Sequence, residues 1–247
     1  MGMIIVSIGS VSNTSWANWD EYTQVEIGTD GIIVLDNPLD GGNDTGVCSD
    51  LTGADLVLTV AGNAPGFPGA TGSPYPSRLT DGASDWAQTT EAWWNNFYNA
   101  QTKYFLCIKL NITAGYDDLD TIFYFEDTNL QMSADISSNK LRAQLYDNDN
   151  ALEALSSTDN ITTGSIIYLC VFCDGTTNYT GWTVGTKPTK LTDFDAGKLI
   201  TFTRLFDNMA AMSTAVWNAW FDLPTINRWL AARIYFIYAA SNCPIST

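Results

Sequence analysis

The residues best suited to recognise a sugar lie in one aromatic stretch of the chain. The sequence from 93 to 98 places Trp93, Trp94 and Tyr98 beside the amide of Asn95. A glycan site combines apolar aromatic faces with a few polar groups that orient the ligand. Trp93, Trp94, Asn95 and Tyr98 are therefore candidate glycan-binding residues. Two other interpretations of this stretch stay open, namely core packing and a protein–protein interface, where large aromatic side chains are also common.

A group of carboxylates is the candidate metal site. Asp117, Asp118 and Asp120 are close neighbours in the sequence, and Ca²⁺ prefers oxygen ligands such as carboxylates. The group does not follow the twelve-residue pattern of helix–loop–helix calcium sites, and tight turns also select Asp. Both interpretations stay open. The chain is expected to require no cofactor, and calcium is the ion that these residues could hold.

Acid–base and nucleophilic catalysis find little support in the composition. The chain has no His, which excludes Ser-His-Asp and Cys-His arrangements. Retaining glycoside hydrolysis needs two carboxyl groups about 5 Å apart. The Glu residues lack the spacing that would place such a pair on one strand: Glu21, Glu26, Glu91, Glu126 and Glu153. A pair of Asp residues from distant strands would be the remaining route to hydrolysis, and we expect a protein that is not an enzyme.

Cys170 and Cys173 have the spacing of a metal or redox pair. They lie in the apolar run 166–173, which is typical of a buried strand, and residues three apart on a strand face opposite sides. We therefore predict small buried side chains rather than metal ligands. The chain has five Cys, an odd number that excludes complete disulfide pairing, and a reducing, cytoplasmic site of synthesis is expected.

The charge of the chain argues against two classes of partner. Its 27 acidic residues against 11 basic ones give a net charge of -16, and such a field repels the phosphates of nucleic acids and of anionic membranes. We therefore expect no nucleic-acid partner and no membrane partner. The hydrophobic content of 45% is sufficient for a packed core.

Short β-strands are the elements that must position these residues. The clearest alternation runs through 130–146, where Ala134 lies on the apolar face and Asp135 on the polar one. With a turn at Ser137–Lys140, this alternation predicts a half-buried antiparallel hairpin. Further strands are predicted at 32–35, 55–60, 104–110, 121–125, 165–173, 199–203 and 233–239.

Two stretches have helical spacing instead. In residues 207–221, apolar side chains from Met209 to Trp220 recur every three or four positions, which predicts a short helix. Residues 90–100 predict a second one, although two adjacent Asn residues within it disfavour a helix. Many short strands separated by Gly, Asn, Asp and Pro turns predict two packed sheets.

The order of these strands resembles that of concanavalin A-like (laminin-G-like) jelly-roll domains. Four segments carry the resemblance: the aromatic strand 104–110, the hairpin 130–146, the strand with its Asp-Gly turn at 165–175, and the closing strand 232–238. The resemblance implies an all-β, two-sheet antiparallel jelly-roll sandwich with one or two short helices.

A narrower resemblance, to laminin-G-like virion proteins of tailed bacteriophages, rests on the segment Gly185–Phe194 that follows the Asp-Gly strand. It implies a non-catalytic structural protein of the virion, made in the host cytoplasm, that serves as capsid decoration, head fibre or tail component. Its partners would be other virion proteins and copies of itself, joined through aromatic-rich interfaces. Residues 1–30 would form an N-terminal arm that packs on the sandwich or on a neighbouring subunit, and residues 31–247 the jelly-roll domain. The alternative is a carbohydrate-binding module that attaches to host surface glycans through the region of Trp93.

Overall fold

The structure is a computed structural model. It describes residues 33–35, 47–48, 56–57, 59–61, 78–79, 86–89, 103–113, 120–126, 131–146, 152–202, 218–221, 230–240 and 243–246. The predicted N-terminal arm, residues 1–30, lies outside these ranges. No helix among the described residues is long and apolar enough to cross a membrane.

The described residues form β-strands and two short 3₁₀ helices, and the helices span Leu191–Asp193 and Ala196–Lys198. In chain order the strands are β1 (Ile33–Leu35), β2 (Val47–Cys48), β3 (Leu56–Val57), β4 (Thr59–Ala61), β5 (Arg78–Leu79), β6 (Trp86–Thr89), β7 (Tyr104–Ile112), β8 (Asp120–Glu126), β9 (Gln131–Ser137), β10 (Lys140–Tyr146), β11 (Leu152–Asn160), β12 (Ile166–Cys173), β13 (Asn178–Val184), β14 (Leu199–Phe202), β15 (Asn218–Phe221) and β16 (Ala232–Ala240).

The strands form two main sheets. The first sheet has the order β1-β16-β7-β12-β13-β14, with β5 also paired to β16, and the second has the order β11-β10-β9-β8-β15-β6-β4. The short strands β2 and β3 pair with each other, and every pairing between the described strands is antiparallel. The predicted all-β, two-sheet antiparallel sandwich is therefore confirmed.

The central strands of the first sheet, β7 and β12, are buried on both faces. On β7, Phe105 and Cys107 face one side while Leu106 and Ile108 face the other, and all four side chains are at most 1% exposed. Continuous apolar runs are typical of strands that are covered on both sides, since neither face has to be polar. Each face of this sheet must therefore have its own cover.

Two loop segments cover the face of the first sheet that carries Phe105. Phe194, between the two 3₁₀ helices, and Ile245, near the end of the chain, pack with Phe105 in one apolar cluster. A parallel bridge between Lys190 and Ser246 joins the two segments. The second sheet of the sandwich is left to cover the opposite face.

The predicted hairpin is confirmed, with β9 and β10 joined by a two-residue turn. Ser137 pairs with Lys140, and the two residues between them, Ser138 and Asn139, have φ angles of 52° and 67°. Positive φ at both central positions matches the right-handed twist of the flanking strands, and Asn is among the residues that tolerate it best. The turn thereby fixes the register of the hairpin.

The predicted helix at 207–221 is wrong at its end. Asn218–Phe221 is strand β15, which pairs with β8 on one side and with β6 on the other. The remainder of that prediction, and all of the one at 90–100, fall outside the described residues. A central strand position supplies hydrogen-bond partners for the backbone on both sides, and such tertiary pairing overrides a short run of helical spacing.

The Asp-Gly turn after β12 is organised by one carboxylate. Oδ1 of Asp174 accepts hydrogen bonds from the backbone N–H of Thr176 at 2.8 Å and of Thr177 at 2.9 Å. Gly175 has a φ of 106°, which side-chain-bearing residues rarely adopt. Burial raises the pKa of Asp174, but the hydrogen bonds from Thr176 and Thr177 together outweigh it, so that the pKa lies below its ordinary value.

The lowered pKa of Asp174 predicts a pH-dependent contribution to stability. A carboxyl group with a depressed pKa in the folded state stabilises the fold fully above its unfolded pKa, near 3.8, and loses that contribution as the pH falls through the folded value. We expect Asp174→Asn to lower the free energy of unfolding by about 1 kcal/mol at pH 7. Urea denaturation at a series of pH values should show this difference shrink below about pH 4. A difference that stays constant down to about pH 2 would contradict the assignment.

Candidate functional site

One face of the second sheet carries a row of polar side chains from neighbouring strands. Thr121 of β8 is in register with Asp135 of β9, and Asp135 is in register with Arg142 of β10. Residues directly opposite on antiparallel strands point to the same face, with their Cβ atoms about 5 Å apart. The three side chains therefore stand beside one another.

Asp135 and Arg142 form a bidentate ion pair within this row. Arg142 Nε donates to Asp135 Oδ1 at 2.8 Å, and the terminal nitrogen of Arg142 donates to Asp135 Oδ2 at 2.5 Å. The side chain of Asp135 is 2% exposed and that of Arg142 is 23% exposed. Two parallel charge-assisted hydrogen bonds fix the plane of the guanidinium group, and part of the Arg142 side chain stays accessible to solvent.

A second row lies along the same face. Tyr124 of β8 and Gln144 of β10 both pair in register with Ser133 of β9. Ser133 lies two residues from Asp135, so the two rows are about 7 Å apart. Tyr124 and Gln144 are both partly exposed. A phenol, an amide and a guanidinium group thus share one surface, which we call the polar face.

A β-bulge brings Tyr124 to the polar face. The register between β8 and β9 shifts between Thr121 and Phe123, where Ile122 is the extra residue. On a regular strand, residues three apart would face opposite sides, so that Thr121 and Tyr124 would be separated. The bulge corrects this alternation, and re-aiming a side chain in this way is a common role of bulges next to functional sites.

The opposite face of the same strands is apolar and belongs to the core. Phe123, Ala134 and Ala143 are in register on this face, and each is at most 1% exposed. Because the pleat alternates, the polar face must point away from the core. The polar face therefore lies on the outer side of the sandwich, where Thr121 and Asp135 are buried and Tyr124, Arg142 and Gln144 are partly exposed.

The polar face has the chemistry of a binding site for a hydroxyl-rich ligand. The guanidinium group offers only donors, the amide of Gln144 offers both a donor and an acceptor, and the hydroxyl of Tyr124 can act as either. The ring of Tyr124 adds an apolar surface. Sugars present the same combination of hydroxyl groups and apolar ring faces.

The aromatic and calcium predictions stay largely outside the described residues. Trp93, Trp94, Asn95 and Tyr98 lie there, as do Asp117 and Asp118, so these assignments remain predictions. Asp120 is described: it opens β8, is 5% exposed, and is in register with Ile136 on the apolar side of the strand. In the part of the chain that the structure describes, no group of three or more His, Cys, Asp or Glu residues could hold a metal ion.

The prediction for Cys170 and Cys173 is confirmed. Both lie on β12 and are buried, at 0% and 4% exposure. Cys170 belongs to the apolar cluster beneath the loop segments, and Cys173 points to the other face because the two residues are three apart on the strand. Both are free thiols, and they do not form one site.

Comparison with known proteins shows a fold but no family. No family model matches the chain, and no curated protein matches it. Solved structures do match, and those that follow are receptor-binding domains of botulinum neurotoxins.

A binding domain of botulinum neurotoxin DC in complex with SialylT has a TM-score of 0.55 and 13% identity, and the match covers 86% of this chain and 47% of that one. A structure of botulinum neurotoxin type C, whose cell entry is described as dependent upon interaction with two ganglioside molecules, has a TM-score of 0.55, 12% identity and coverages of 86% and 48%. The type G receptor-binding domain has a TM-score of 0.53, 8% identity and coverages of 85% and 47%.

These matches show that this chain shares a β-sandwich fold with the toxin domains. At such low identity the likeness shows the fold alone, because a fold hosts many unrelated functions. The chain also spans about half the length of the structures that it matches. Function must therefore be argued from the residues of the site.

Proposed function

We propose that the protein is a non-catalytic carbohydrate-binding protein and that the polar face of the second sheet is its binding site. The observation that carries the proposal is the bidentate pair of Asp135 and Arg142 beside the partly exposed side chains of Tyr124 and Gln144. The buried carboxylate orients the guanidinium group before any ligand arrives, and such preorganisation lowers the entropy cost of binding.

The matched structures support the proposal through their ligands. One botulinum neurotoxin binding domain is described in complex with SialylT, and cell entry of the type C neurotoxin is described as dependent upon interaction with two ganglioside molecules. The shared sandwich is thus found in chains that engage glycans. Since about half of each of those chains lies outside the match, the support concerns the suitability of the fold, and the site itself is argued from the polar face.

The charges of the polar face favour neutral sugars over acidic ones. The guanidinium charge of Arg142 is already compensated by Asp135, and the chain as a whole carries a net charge of -16. A sialic acid carboxylate would therefore meet a repulsive field and no uncompensated cation on this pair. We expect neutral oligosaccharides to bind more tightly than their sialylated counterparts, and a glycan array that contains both kinds measures the difference.

The first test is removal of the partly exposed side chains of the polar face. We expect Tyr124→Ala and Gln144→Ala each to weaken binding of the best neutral oligosaccharide about tenfold, because a stacking contact or a pair of hydrogen bonds contributes about 1.4 kcal/mol. Isothermal titration calorimetry measures the dissociation constants, and circular dichroism checks that each variant is folded.

A matched control comes from the other sheet. Tyr179 is also a partly exposed tyrosine, but it lies on β13 of the first sheet, so Tyr179→Ala should leave the dissociation constant unchanged. If Trp93→Ala and Trp94→Ala abolished glycan binding while Tyr124→Ala left it unchanged, the binding site would be the aromatic stretch, and carbohydrate binding would still be the function. Failure to bind any glycan of the array would reject the function itself.

Virion assembly rests on the sequence resemblance alone. In the described part of the chain, Val184 is the large hydrophobic side chain that is exposed, at 38%. Partnership with other virion proteins, self-assembly, a location in the virion and calcium binding all stay predictions, and a native mass determination with and without Ca²⁺ tests self-assembly and metal binding together.

A further inference from the structure

Two thiols face each other at the centre of the first sheet. Cys107 of β7 is directly in register with Cys170 of β12, and their sulfur atoms are 3.5 Å apart, with Cys170 Sγ donating a hydrogen bond to Cys107 Sγ. Both residues are 0% exposed. The neighbouring pair Phe105 and Phe172 is in register too, so the strands hold the two thiols opposite each other.

We propose that Cys107 and Cys170 form a disulfide when the chain folds in the presence of a small-molecule disulfide oxidant such as oxidised glutathione. Directly opposed residues of antiparallel strands have Cα atoms about 4.5 to 5.5 Å apart, which falls within the range that a disulfide spans, about 4.4 to 6.8 Å. The sulfur atoms need to approach by only about 1.5 Å, a movement that side-chain rotation supplies.

The chemistry is two successive thiol–disulfide exchanges. One cysteine thiolate attacks oxidised glutathione, forming a mixed disulfide and releasing one glutathione thiolate. The second cysteine, as its thiolate, then attacks the protein sulfur of the mixed disulfide and releases the other glutathione. In total, two protein thiols lose two electrons and two protons, and one molecule of oxidised glutathione becomes two of reduced glutathione.

The other described thiols are poorer partners. Cys173 points to the opposite face of β12, away from Cys107. Cys243 packs against the same apolar cluster, but it lies beyond the end of β16, so no strand register sets it opposite another thiol. The register therefore selects Cys107 with Cys170.

The timing of the reaction follows from burial. In the finished sandwich both sulfur atoms are inaccessible to glutathione, so the bond must form before the loop segments close over the sheet. The reduced protein, once folded, is expected to resist oxidation for as long as it stays folded. Redox conditions during folding thereby decide whether the two central strands are covalently joined.

The test is oxidative refolding of the full chain. The denatured, reduced protein is refolded in a mixture of oxidised and reduced glutathione, free thiols are alkylated, and a tryptic digest is analysed by mass spectrometry without reduction. Cys170 and Cys173 share one tryptic peptide, because no cleavable Lys or Arg lies between them, so Cys173→Ser assigns the sulfur. We expect the cross-linked peptide in the wild type, Cys173→Ser and Cys243→Ser, and its loss in Cys107→Ser and Cys170→Ser.

The bond should also be visible in stability. It joins residues 63 positions apart, and closing a loop of this size raises the midpoint of thermal unfolding by roughly 5 to 15 °C relative to the reduced protein. If refolding yields are poor, protein exported to the oxidising bacterial periplasm is used in place of refolded protein, and the same tryptic peptides are analysed. Folded protein in which Cys107 and Cys170 are both alkylated, or in which Cys107 is linked to Cys243, would overturn the proposal.

Discussion

Replacing Arg142 with Ala is expected to lower the free energy of unfolding by about 3 to 5 kcal/mol. The Asp135 side chain is 2% exposed and receives two hydrogen bonds from the guanidinium group. Without Arg142, the buried carboxylate would lose both charge-assisted hydrogen bonds of the bidentate pair, and breaking a buried pair by removing one partner is strongly destabilising. A domain with a total stability of about 5 to 15 kcal/mol would lose a large part of it.

Urea denaturation of the wild type, Arg142→Ala, Arg142→Lys and the double variant Asp135→Asn with Arg142→Met measures this effect. The lysine variant keeps the charge but cannot form the bidentate pair, so an intermediate loss is expected. The double variant removes both charges of the pair and should recover part of the stability, since the buried carboxylate is removed together with the guanidinium group. A loss below about 1 kcal/mol in Arg142→Ala would show that the pair behaves like an ordinary surface ion pair.

Phe172→Ala is the second substitution for which a large loss is expected, about 3 to 5 kcal/mol. Phe172 is 1% exposed, and its ring centroid lies 4.9 Å from that of Tyr179, 5.7 Å from Phe194 and 6.2 Å from Phe105. Truncation would remove three aromatic contacts at once and leave a cavity beneath the loop segments that cover the first sheet.

The control for this substitution is Val184→Ala on the neighbouring strand β13. Val184 is 38% exposed, and a surface truncation of this kind changes stability by only about 0.5 kcal/mol. Thermal and urea unfolding of both variants give the comparison. If Phe172→Ala cost no more than Val184→Ala, the aromatic cluster would not be the element that joins the loop segments to the sheet.

The parts of the fold that the sequence predicts are those in which each strand carries its own signal. Apolar and polar residues alternate along β9 and β10 because one face of the hairpin packs in the core and the other carries the polar side chains. The turn residues Ser138 and Asn139 also suit the positive φ angles of a two-residue turn. The uninterrupted apolar runs of β7 and β12 indicate burial on both faces. Local patterns of this kind are sufficient to predict two packed sheets.

Features that depend on distant pairing could not be predicted in this way. β15 is a strand because β8 and β6 flank it, and the sequence of residues 218–221 alone does not indicate that pairing. The bulge at Ile122 is a property of the pairing between β8 and β9. Only with this bulge does Tyr124 join the face of Asp135, so the alternation of β8 alone could not predict the site.

The candidate site likewise combines one residue that a local pattern predicts with others that depend on strand pairing. Alternation already places Asp135 opposite the apolar side of the hairpin, but its partner Arg142 follows only from the register that the turn sets. The sequence directs attention to the aromatic stretch around Trp93 instead, because a run of large side chains is conspicuous without any knowledge of pairing. A polar face assembled one residue per strand gives no comparable local signal.

The central claim, that the polar face of the second sheet binds sugar, is tested most directly by mapping the contact surface. ¹⁵N-labelled protein is titrated with the neutral oligosaccharide that binds best on the array, and backbone amide shifts are followed by NMR. We predict saturable shifts that cluster on β8, β9 and β10 around Tyr124, Asp135, Arg142 and Gln144. Shifts that cluster on the first sheet or at residues 93–98, with those four amides unchanged, would contradict the claim.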